Sequence, residues 1–329
     1  MSRARLVPIA ALAAAALALV LPASSTPAQA ATSCRARMTS TFLQPSWDVF
    51  AWSPARYASE LSAMKAVGIR TVIDQWTVDM DANLAHYPAP ATWYPRGADM
   101  VGPLIREAER QQMSVWLGLG NVYNWQAHAT DLAWLQNQLY VDIQTANQLY
   151  ALYPGRFKGW YISNEVDDHL LANPAAIGPM RWFFTELANY LHTHLGNLPV
   201  MASPRYSGLQ LSPARFAQGI KDVHGALDVV NVQDSGGSGY IFASNITDWF
   251  TALAAAFKGT RTAVWSNADM FDSPQGPMSP TKLQANLNAT CGLVAANSGF
   301  SFTTQMSPYT LGTSTYYNAY RSYTRHTAR

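Results

Sequence analysis

The stretch Phe157-Lys-Gly-Trp-Tyr-Ile-Ser-Asn-Glu165 joins a short apolar run to a polar end. Such a run is typical of a strand that is buried on both faces. After a loop, a helix is predicted at residues 179–195. A buried strand followed by a helix indicates parallel strands with helical crossovers.

The same strand and helix unit recurs from Thr39 onward, without a linker or a low-complexity tract. The predicted strands are residues 39–44, 69–76, 114–120, 157–163, 199–203, 228–234, 261–267 and 299–305. The predicted helices are residues 54–67, 99–112, 129–150, 179–195, 213–224, 245–257, 280–296 and 314–325. Eight such units predict an α/β protein with a single (β/α)8 barrel, a TIM barrel, over residues 31–329. An open doubly wound sheet is the alternative, but the first turn, residues 45–48, lacks its Gly-rich phosphate loop.

Residues 1–30 have the three regions of a secretory signal peptide. Arg3 and Arg5 precede an apolar run at residues 6–21, and a small-residue stretch ends in Ala28-Gln29-Ala30. A membrane anchor is the alternative, but the run is short for spanning and contains Pro8. We therefore expect cleavage after residue 30, a secreted, extracellular protein, and no attachment to the membrane afterwards.

The charge balance argues against a nucleic-acid partner. The leader contains two basic residues and no acid, so residues 31–329 carry twenty of each, and a basic footprint is missing. Eleven Trp and sixteen Tyr suit either core packing or stacking on sugar rings. The seven histidines show no ligand spacing and no dinucleotide fingerprint occurs. We expect a neutral, polar ligand such as a carbohydrate, with no metal and no cofactor.

Cys34 and Cys291 both lie in the part predicted to be exported. An even pair in an oxidising compartment indicates one disulfide, which would join the two ends of a closed barrel. Two unpaired buried thiols remain the alternative, because the sequence does not give the Cα separation that a bridge requires.

The active face of such a barrel is built from residues at the carboxyl ends of its strands. Here those ends are rich in amides, carboxylates and aromatic rings, the groups that bind sugar hydroxyls and ring faces. In strand order they are Gln44, Trp47, Gln75, Trp76, Asn121, Tyr123, Asn164, Glu165, Arg205, Tyr206, Gln233, Asp234, Asn267, Asp269, Gln305 and Tyr309.

The pair Asn164-Glu165 at the end of the fourth strand resembles the clan A glycoside hydrolases. The resemblance implies that Glu165 is the general acid/base and that Asn164 holds the 2-hydroxyl of the sugar. As a general acid Glu165 needs a raised pKa, to which Trp160 and Tyr161 could contribute apolar walls. The alternative is that Glu165 and Val166-Asp-Asp168 form an acidic loop or a helix-capping cluster.

The chain as a whole is similar to a bacterial family of uncharacterised domains assigned as candidate glycosidases. The matching segments are residues 41–45, 64–76, 159–165, 228–237 and 264–271. This resemblance spans nearly all of the predicted barrel and implies the same fold.

The second carboxylate departs from the clan A pattern, because the seventh strand does not end in Glu. Asp269 is the acid that fits there, and Asp234 on the sixth strand is its rival. A retaining enzyme places its carboxyl groups about 5 to 5.5 Å apart, whereas about 6.5 to 9.5 Å implies inversion. Asp269 is predicted to be the nucleophile or second carboxylate.

These observations predict a glycoside hydrolase that cleaves a poly- or oligosaccharide, with retention of configuration as the expected outcome. Several strand-end residues would bind the sugar: Trp47, Gln75, Trp76, Asn121, Asn164, Tyr206, Gln233, Asp234, Trp265 and Gln305. A carbohydrate-binding barrel without turnover is the alternative, motivated by the missing Glu. A third hypothesis, a scaffold or envelope-interaction protein, would require an exposed apolar patch.

Overall fold

A computed structural model describes residues 34–325 except Tyr240, Phe242 and Gln275, and leaves the side chain of Ser244 undescribed. The predicted signal peptide lies outside these residues. Among the described residues, no helix is long and apolar enough to cross a membrane.

Eight parallel strands form one sheet in sequence order. They are β1 Ser40–Leu43, β2 Thr71–Asp74, β3 Ser114–Gly118, β4 Gly159–Ile162, β5 Val200–Ala202, β6 Val229–Gln233, β7 Ala263–Asp269 and β8 Ala296–Phe300. The first and last strands also meet: the Thr39 amide donates to Asn297 O at 2.8 Å, and Thr41 Oγ1 donates to Gly299 O at 2.9 Å. The sheet therefore curls into a (β/α)8 barrel, and the predicted fold is confirmed.

A long helix follows each strand. These helices are α1 Pro54–Ala66, α2 Val101–Arg110, α3 Leu132–Leu152, α4 Pro174–His194, α5 Pro213–Val223, α6 Ala243–Phe257, α7 Pro280–Ala289 and α8 Thr315–Arg325. In α1, α5 and α7 a serine caps the first turn and proline occupies the first position. This combination satisfies a free amide and fixes φ, which is why these starts are predictable.

Alternation along the strands separates two apolar layers. Trp160 points outward and packs on Phe157 in the layer beneath the helices, whereas its neighbour Tyr161 points into the barrel and meets Phe42. Trp116 also belongs to the interior layer, and its ring lies against Gly159. A Cβ on Gly159 would come within 2.4 Å of Trp116 Cδ2, so glycine at this position makes room for the indole.

The prediction for the last strand is wrong. Residues 299–305 were expected to be the strand and residues 280–296 the helix, but α7 ends at Ala289 and β8 spans Ala296–Phe300. The segment before Phe300 has no β-branched residue, so its sequence lacks the usual strand signal. Its polar side chains are hydrogen-bonded: Ser298 Oγ donates to Asn231 Oδ1 at 2.9 Å inside the barrel, and Asn297 Oδ1 accepts from Thr290 Oγ1 at 2.9 Å on the helix side.

A disulfide joins the segment before the first strand to the segment before the last strand. Cys34 and Cys291 form a disulfide with a Cα–Cα distance of 5.9 Å, as expected from the sequence. The C-terminal helix α8 adds hydrogen bonds to the first segment: Tyr320 Oη accepts from the Met38 amide at 2.8 Å, and Tyr323 Oη donates to Ala36 O at 2.6 Å.

Candidate active site

Two connected cavities open at the carboxyl ends of the strands. The inner chamber, about 100 Å³, is lined by Phe42, Gln75, Tyr161, Ser163, Glu165, Ser203, Gln233, Asn267, Phe271 and Phe300. The outer cleft, about 410 Å³, is lined by Gln44, Gln75, Trp76, Asn121, Val122, Tyr123, Asn124, Trp125, Gln126, Ser163 and Glu165. Because Gln75, Ser163 and Glu165 line both, the two form one polar site around Glu165.

Glu165 lies just beyond β4, and its carboxylate is held from two sides. Gln233 Nε2 donates to Oε2 at 2.6 Å, and Arg205 Nε lies 2.9 Å from Oε1. The side chain keeps 32% of its surface accessible, which leaves it open to the cleft. The carboxylate is therefore fixed in position and remains within reach of a ligand.

Burial raises the pKa of Glu165 above its ordinary value. The nearby charge of Arg205 and the hydrogen bond from Gln233 oppose this rise, whereas the negative charge of Asp167 adds to it. The net upward direction is the one that a general acid needs.

The acidic residues after Glu165 have structural roles. Asp167 Oδ1 accepts from the Leu170 amide at 2.8 Å and caps the short helix Asp168–Leu171. Asp168 Oδ2 accepts from Ser207 Oγ at 2.9 Å. The capping interpretation therefore holds for Asp167, whereas Asp168 holds the loop at Ser207 and Glu165 lies in the cleft.

Asp269, at the end of β7, is nearly covered, with 3% of its surface accessible. Its Oδ2 accepts from the Gly237 amide at 2.9 Å, and the residue belongs to the walls of neither cavity. Burial and the charge of Asp234 raise its pKa well above the ordinary value. The charge of Glu165 adds to this rise, so the two carboxyl groups interact electrostatically.

Asp234 is a structural acid. It is buried, and its Oδ1 accepts from the Gly236 amide at 3.0 Å and from the Asp269 amide at 3.1 Å. Burial raises its pKa to about 6, and these two amides oppose the rise. Asp234 therefore joins the loop after β6 to β7, and it belongs to the walls of neither cavity.

Four other predicted sugar-binding residues lie away from the inner chamber and the outer cleft. Asn164 faces a small apolar cavity beneath α4 and α5, since neighbours along an extended chain point to opposite sides. Tyr206 is buried, stacked on Trp249 at 4.1 Å. Trp265 packs on Trp116 inside the barrel. Gln305 follows β8 on the short helix Phe302–Gln305, beside Met270 and Met306.

The remaining predicted binding residues reach the open face. Gln75, Trp76 and Asn121 line the outer cleft, and Gln233 lines the inner chamber. Trp47 is 87% exposed on an adjoining pocket that also contains Trp76. The structure thus brings these five residues to the same end of the barrel as Glu165.

Several residues of the inner chamber are not predicted from the sequence. Ser203 Oγ donates to Asn231 O at 2.7 Å and accepts from Asn267 Nδ2 at 3.2 Å, which forms a polar floor. Phe271 lies beyond the predicted seventh strand. Serine after a short strand and a loop phenylalanine carry no distinctive signal, but the position of Arg205 at a strand end did indicate the active face.

In the part of the chain that the structure describes, no group of three or more His, Cys, Asp or Glu side chains converges as a metal site would require. The site itself contains a carboxyl group of raised pKa, amides and hydroxyls for hydrogen bonding, and aromatic walls.

A polar cleft with a carboxyl group at the carboxyl ends of the strands is where enzymes with a (β/α)8 barrel have their active sites. The chain matches the model of the family described as "Domain of unknown function (DUF4434)" over residues 38–311 and belongs to that family. No curated protein matches it in sequence.

Solved structures share the fold at low identity. A protein described as a putative alpha-L-fucosidase from Bacteroides thetaiotaomicron is 22% identical, with a TM-score of 0.74 over 97% of this chain and 99% of the other. An endo-1,4-beta-D-mannanase from Thermotoga petrophila is 12% identical, with a TM-score of 0.55 over 83% and 90%. A beta-xylosidase from Caulobacter crescentus is 10% identical, with a TM-score of 0.58 over 88% and 69%. These likenesses establish the fold that the sequence predicts.

Proposed function

We propose that the protein is a secreted glycoside hydrolase that cleaves a poly- or oligosaccharide, with Glu165 as the general acid/base. The observation that carries the proposal is the carboxyl group of Glu165, which has a raised pKa, is held by Gln233, and is open to a polar cleft. Glycosidase-type folds among the structural neighbours support it. The leader pattern of residues 1–30 and the disulfide support secretion.

In the proposed reaction, protonated Glu165 donates its proton to the glycosidic oxygen as the bond to the anomeric carbon breaks. Gln233 and Arg205 hold the carboxyl group in position. Asn121 and Gln75 supply amides at the outer cleft for sugar hydroxyls. In the second step the Glu165 carboxylate accepts a proton from the attacking water, which restores the starting state.

Asp269 is proposed as the second carboxylate, and retention as the outcome. As a nucleophile its ionised oxygen would bond to the anomeric carbon, and water would later release the sugar. The Gly237 amide and the charge of Arg205 favour the ionised form, whereas burial and Asp234 oppose it.

The first prediction concerns Glu165→Gln, which keeps the shape of the side chain and removes the transferable proton. We expect hydrolysis of a responsive polysaccharide, measured as reducing ends released, to fall about 100-fold or more. Glu109→Gln is the matched control, because Glu109 also pairs with an arginine, Arg156, at 2.6 Å, but on the outer helix α2. Equal rates for both variants would contradict the assignment.

The second prediction concerns Asp269→Ala. Removal of a nucleophile abolishes the first step of a retaining mechanism, and azide, a small anion, can then take its place. We expect activity to fall about 1,000-fold and azide to restore it, with a glycosyl azide product visible by mass spectrometry. If Asp269→Ala retained wild-type activity, another group would have to be the second carboxylate.

A carbohydrate-binding barrel without turnover is the second candidate. The observation that favours it is the position of Asp269, which lies outside the walls of the inner chamber and the outer cleft. Glycan binding without any product after prolonged incubation, and unchanged affinity in Asp269→Ala, would support this candidate over the hydrolase.

A further inference from the structure

A second concave surface adjoins the outer cleft, and its walls are mainly apolar. This side pocket, about 450 Å³, is formed by the loop after β1, with Trp47 and Phe50, and by the long connection after β2, with Asp79 and His86. Trp76 is common to the side pocket and the outer cleft. The two sites are therefore neighbours that share one indole ring.

We propose that the side pocket is a distal subsite for an uncleaved unit of a neutral glycan chain, so that the substrate is a chain of several sugar units and not a single terminal sugar. This inference rests on the proposed function for the position of the cleaved bond. It extends that function by naming the length and charge class of the substrate.

Aromatic rings follow three neighbouring strands at the open face of the barrel. Trp47 follows β1, Trp76 follows β2 and Tyr123 follows β3, while Glu165 follows β4. Because these strands are adjacent in the barrel, the rings form a row that leads from the side pocket towards Glu165. A row of ring faces suits a linear chain, since each sugar presents an apolar face for stacking.

Two of these rings, those of Trp47 and Tyr123, are largely exposed to solvent. Trp47 is 87% exposed and Tyr123 is 89% exposed, which is unusual for large amphipathic side chains. Phe50 supports Trp47 in an edge-to-face contact with centroids 6.1 Å apart. The indole of Trp47 therefore contacts the Phe50 ring and leaves most of its surface open to a ligand.

The titratable side chains of the side-pocket wall are Asp79 and His86, and these two residues set its charge. His86 is buried, and Phe50 stacks on it at 4.5 Å; burial lowers the pKa of its imidazole, which favours the neutral form. Asp79 supplies a carboxylate whose Oδ1 already accepts from the Ala82 amide at 2.8 Å. A wall with a carboxylate and a neutral imidazole suits sugar hydroxyls and disfavours an anionic sugar.

The test compares short and long chains. Binding of β-1,4-linked xylo-, manno- and cello-oligosaccharides of two and six units to the full chain is measured by isothermal titration calorimetry. We expect at least one hexasaccharide to bind about tenfold or more tightly than its disaccharide, because only the longer chain spans both sites. Failure of all three hexasaccharides to bind, or equal affinity for both lengths, would overturn the proposal.

Trp47→Ala should remove the gain in affinity of the hexasaccharide over the disaccharide, and Trp47→Phe should keep part of that gain. Leu152→Ala is the control, because Leu152 is 41% exposed at the carboxyl end of α3, on the opposite face of the barrel. Unchanged hexasaccharide affinity in Trp47→Ala would contradict the subsite. Self-association of the wild type that Trp47→Ala abolishes, without any glycan binding, would instead assign the ring to a contact between copies.

The two proposals can fail separately. If the hexasaccharide binds in a Trp47-dependent manner but is never cleaved, the subsite stands and the hydrolase proposal falls. If the hexasaccharide is cleaved at the same kcat/KM by the wild type and Trp47→Ala, the hydrolase stands and the subsite falls.

Discussion

Arg205 contacts two acidic side chains of the site. Its Nε lies 2.9 Å from Glu165 Oε1, and its Nη2 lies 3.6 Å from Asp167 Oδ2. The backbone holds it in place, since the Arg205 amide donates to Val166 O at 2.8 Å. Arg205 therefore acts as a positioning residue that also limits how far burial raises the pKa of Glu165.

Arg205→Met should shift the pH dependence of hydrolysis. Without the guanidinium the pKa of Glu165 rises further, so the protonated acid persists to higher pH and the alkaline limb of kcat moves upward. Arg205→Lys keeps the positive charge and should move this limb less. The measurement is a pH profile of kcat for the three proteins. A downward shift in Arg205→Met, or identical limbs in all three, would contradict the assigned interaction.

The positions of some site residues can be predicted from the sequence, and those of others cannot. Glu165 and Gln233 could be predicted, because each ends or follows an apolar strand and strand ends form the active face. Asn164 and Tyr206 satisfy the same criterion but point away from the cleft. The direction of a side chain beyond a strand end depends on loop conformation, which residue identities do not specify.

The sequence predicts the elements with a marked apolar pattern to within a few residues. It does not predict the bounds of β8, whose polar side chains form hydrogen bonds in the folded protein. β8 contains Ser298, whose side chain bonds to Asn231 inside the barrel, and Asn297, whose side chain bonds to Thr290 at the end of α7. Interior hydrogen bonds replace apolar contact there, and single-sequence patterns do not reveal such pairing. The start of α4 was also misplaced, because Pro174 and not Pro179 occupies its first turn.

α3 contains a buried acid that links it to the strand layer. Asp142 Oδ1 accepts from the Gly120 amide at 2.8 Å, and Gln138 Nε2 donates to both carboxylate oxygens. Burial raises the pKa of Asp142 to about 7. Because the unfolded chain releases this proton at lower pH, the contribution of Asp142 to stability is greatest in acid and is lost as the pH rises towards 7.

Asp142→Asn should therefore cost less stability at pH 7 than at pH 5, because Asn keeps an acceptor for Gly120 and never ionises. We expect the cost in the free energy of unfolding to fall by about 2 kcal/mol between these pH values, measured by urea denaturation. Asp248→Asn, at an exposed position of α6, is the control and should show no such difference. A cost that is larger at pH 7 than at pH 5 would contradict the linkage.

The barrel is closed in three ways. Backbone hydrogen bonding joins the segment at β1 to β8, the tyrosines of α8 hold residues 36–38, and the Cys34–Cys291 disulfide spans a sequence separation of 257 residues. A crosslink over so long a segment restricts the unfolded chain strongly in the loop-entropy model.

Cys34→Ser combined with Cys291→Ser should lower the free energy of unfolding by about 2 to 5 kcal/mol. The expected change is a lower denaturation midpoint in urea, and the oxidised wild type treated with reductant should approach the variant. Hydrolysis at temperatures well below unfolding should stay unchanged, because the crosslink lies at the opposite end of the barrel from Glu165. Superimposable denaturation curves would show that strand closure alone holds the ends.

Because α8 contacts residues 36–38, the chain is suited to circular permutation. Because Tyr323 Oη reaches Ala36 O at 2.6 Å, a short peptide bridge could connect this helix to the first segment. New chain termini could then be placed in a surface connection at the face opposite Glu165. The carboxyl ends of the strands would be unchanged in the resulting circularly permuted barrel.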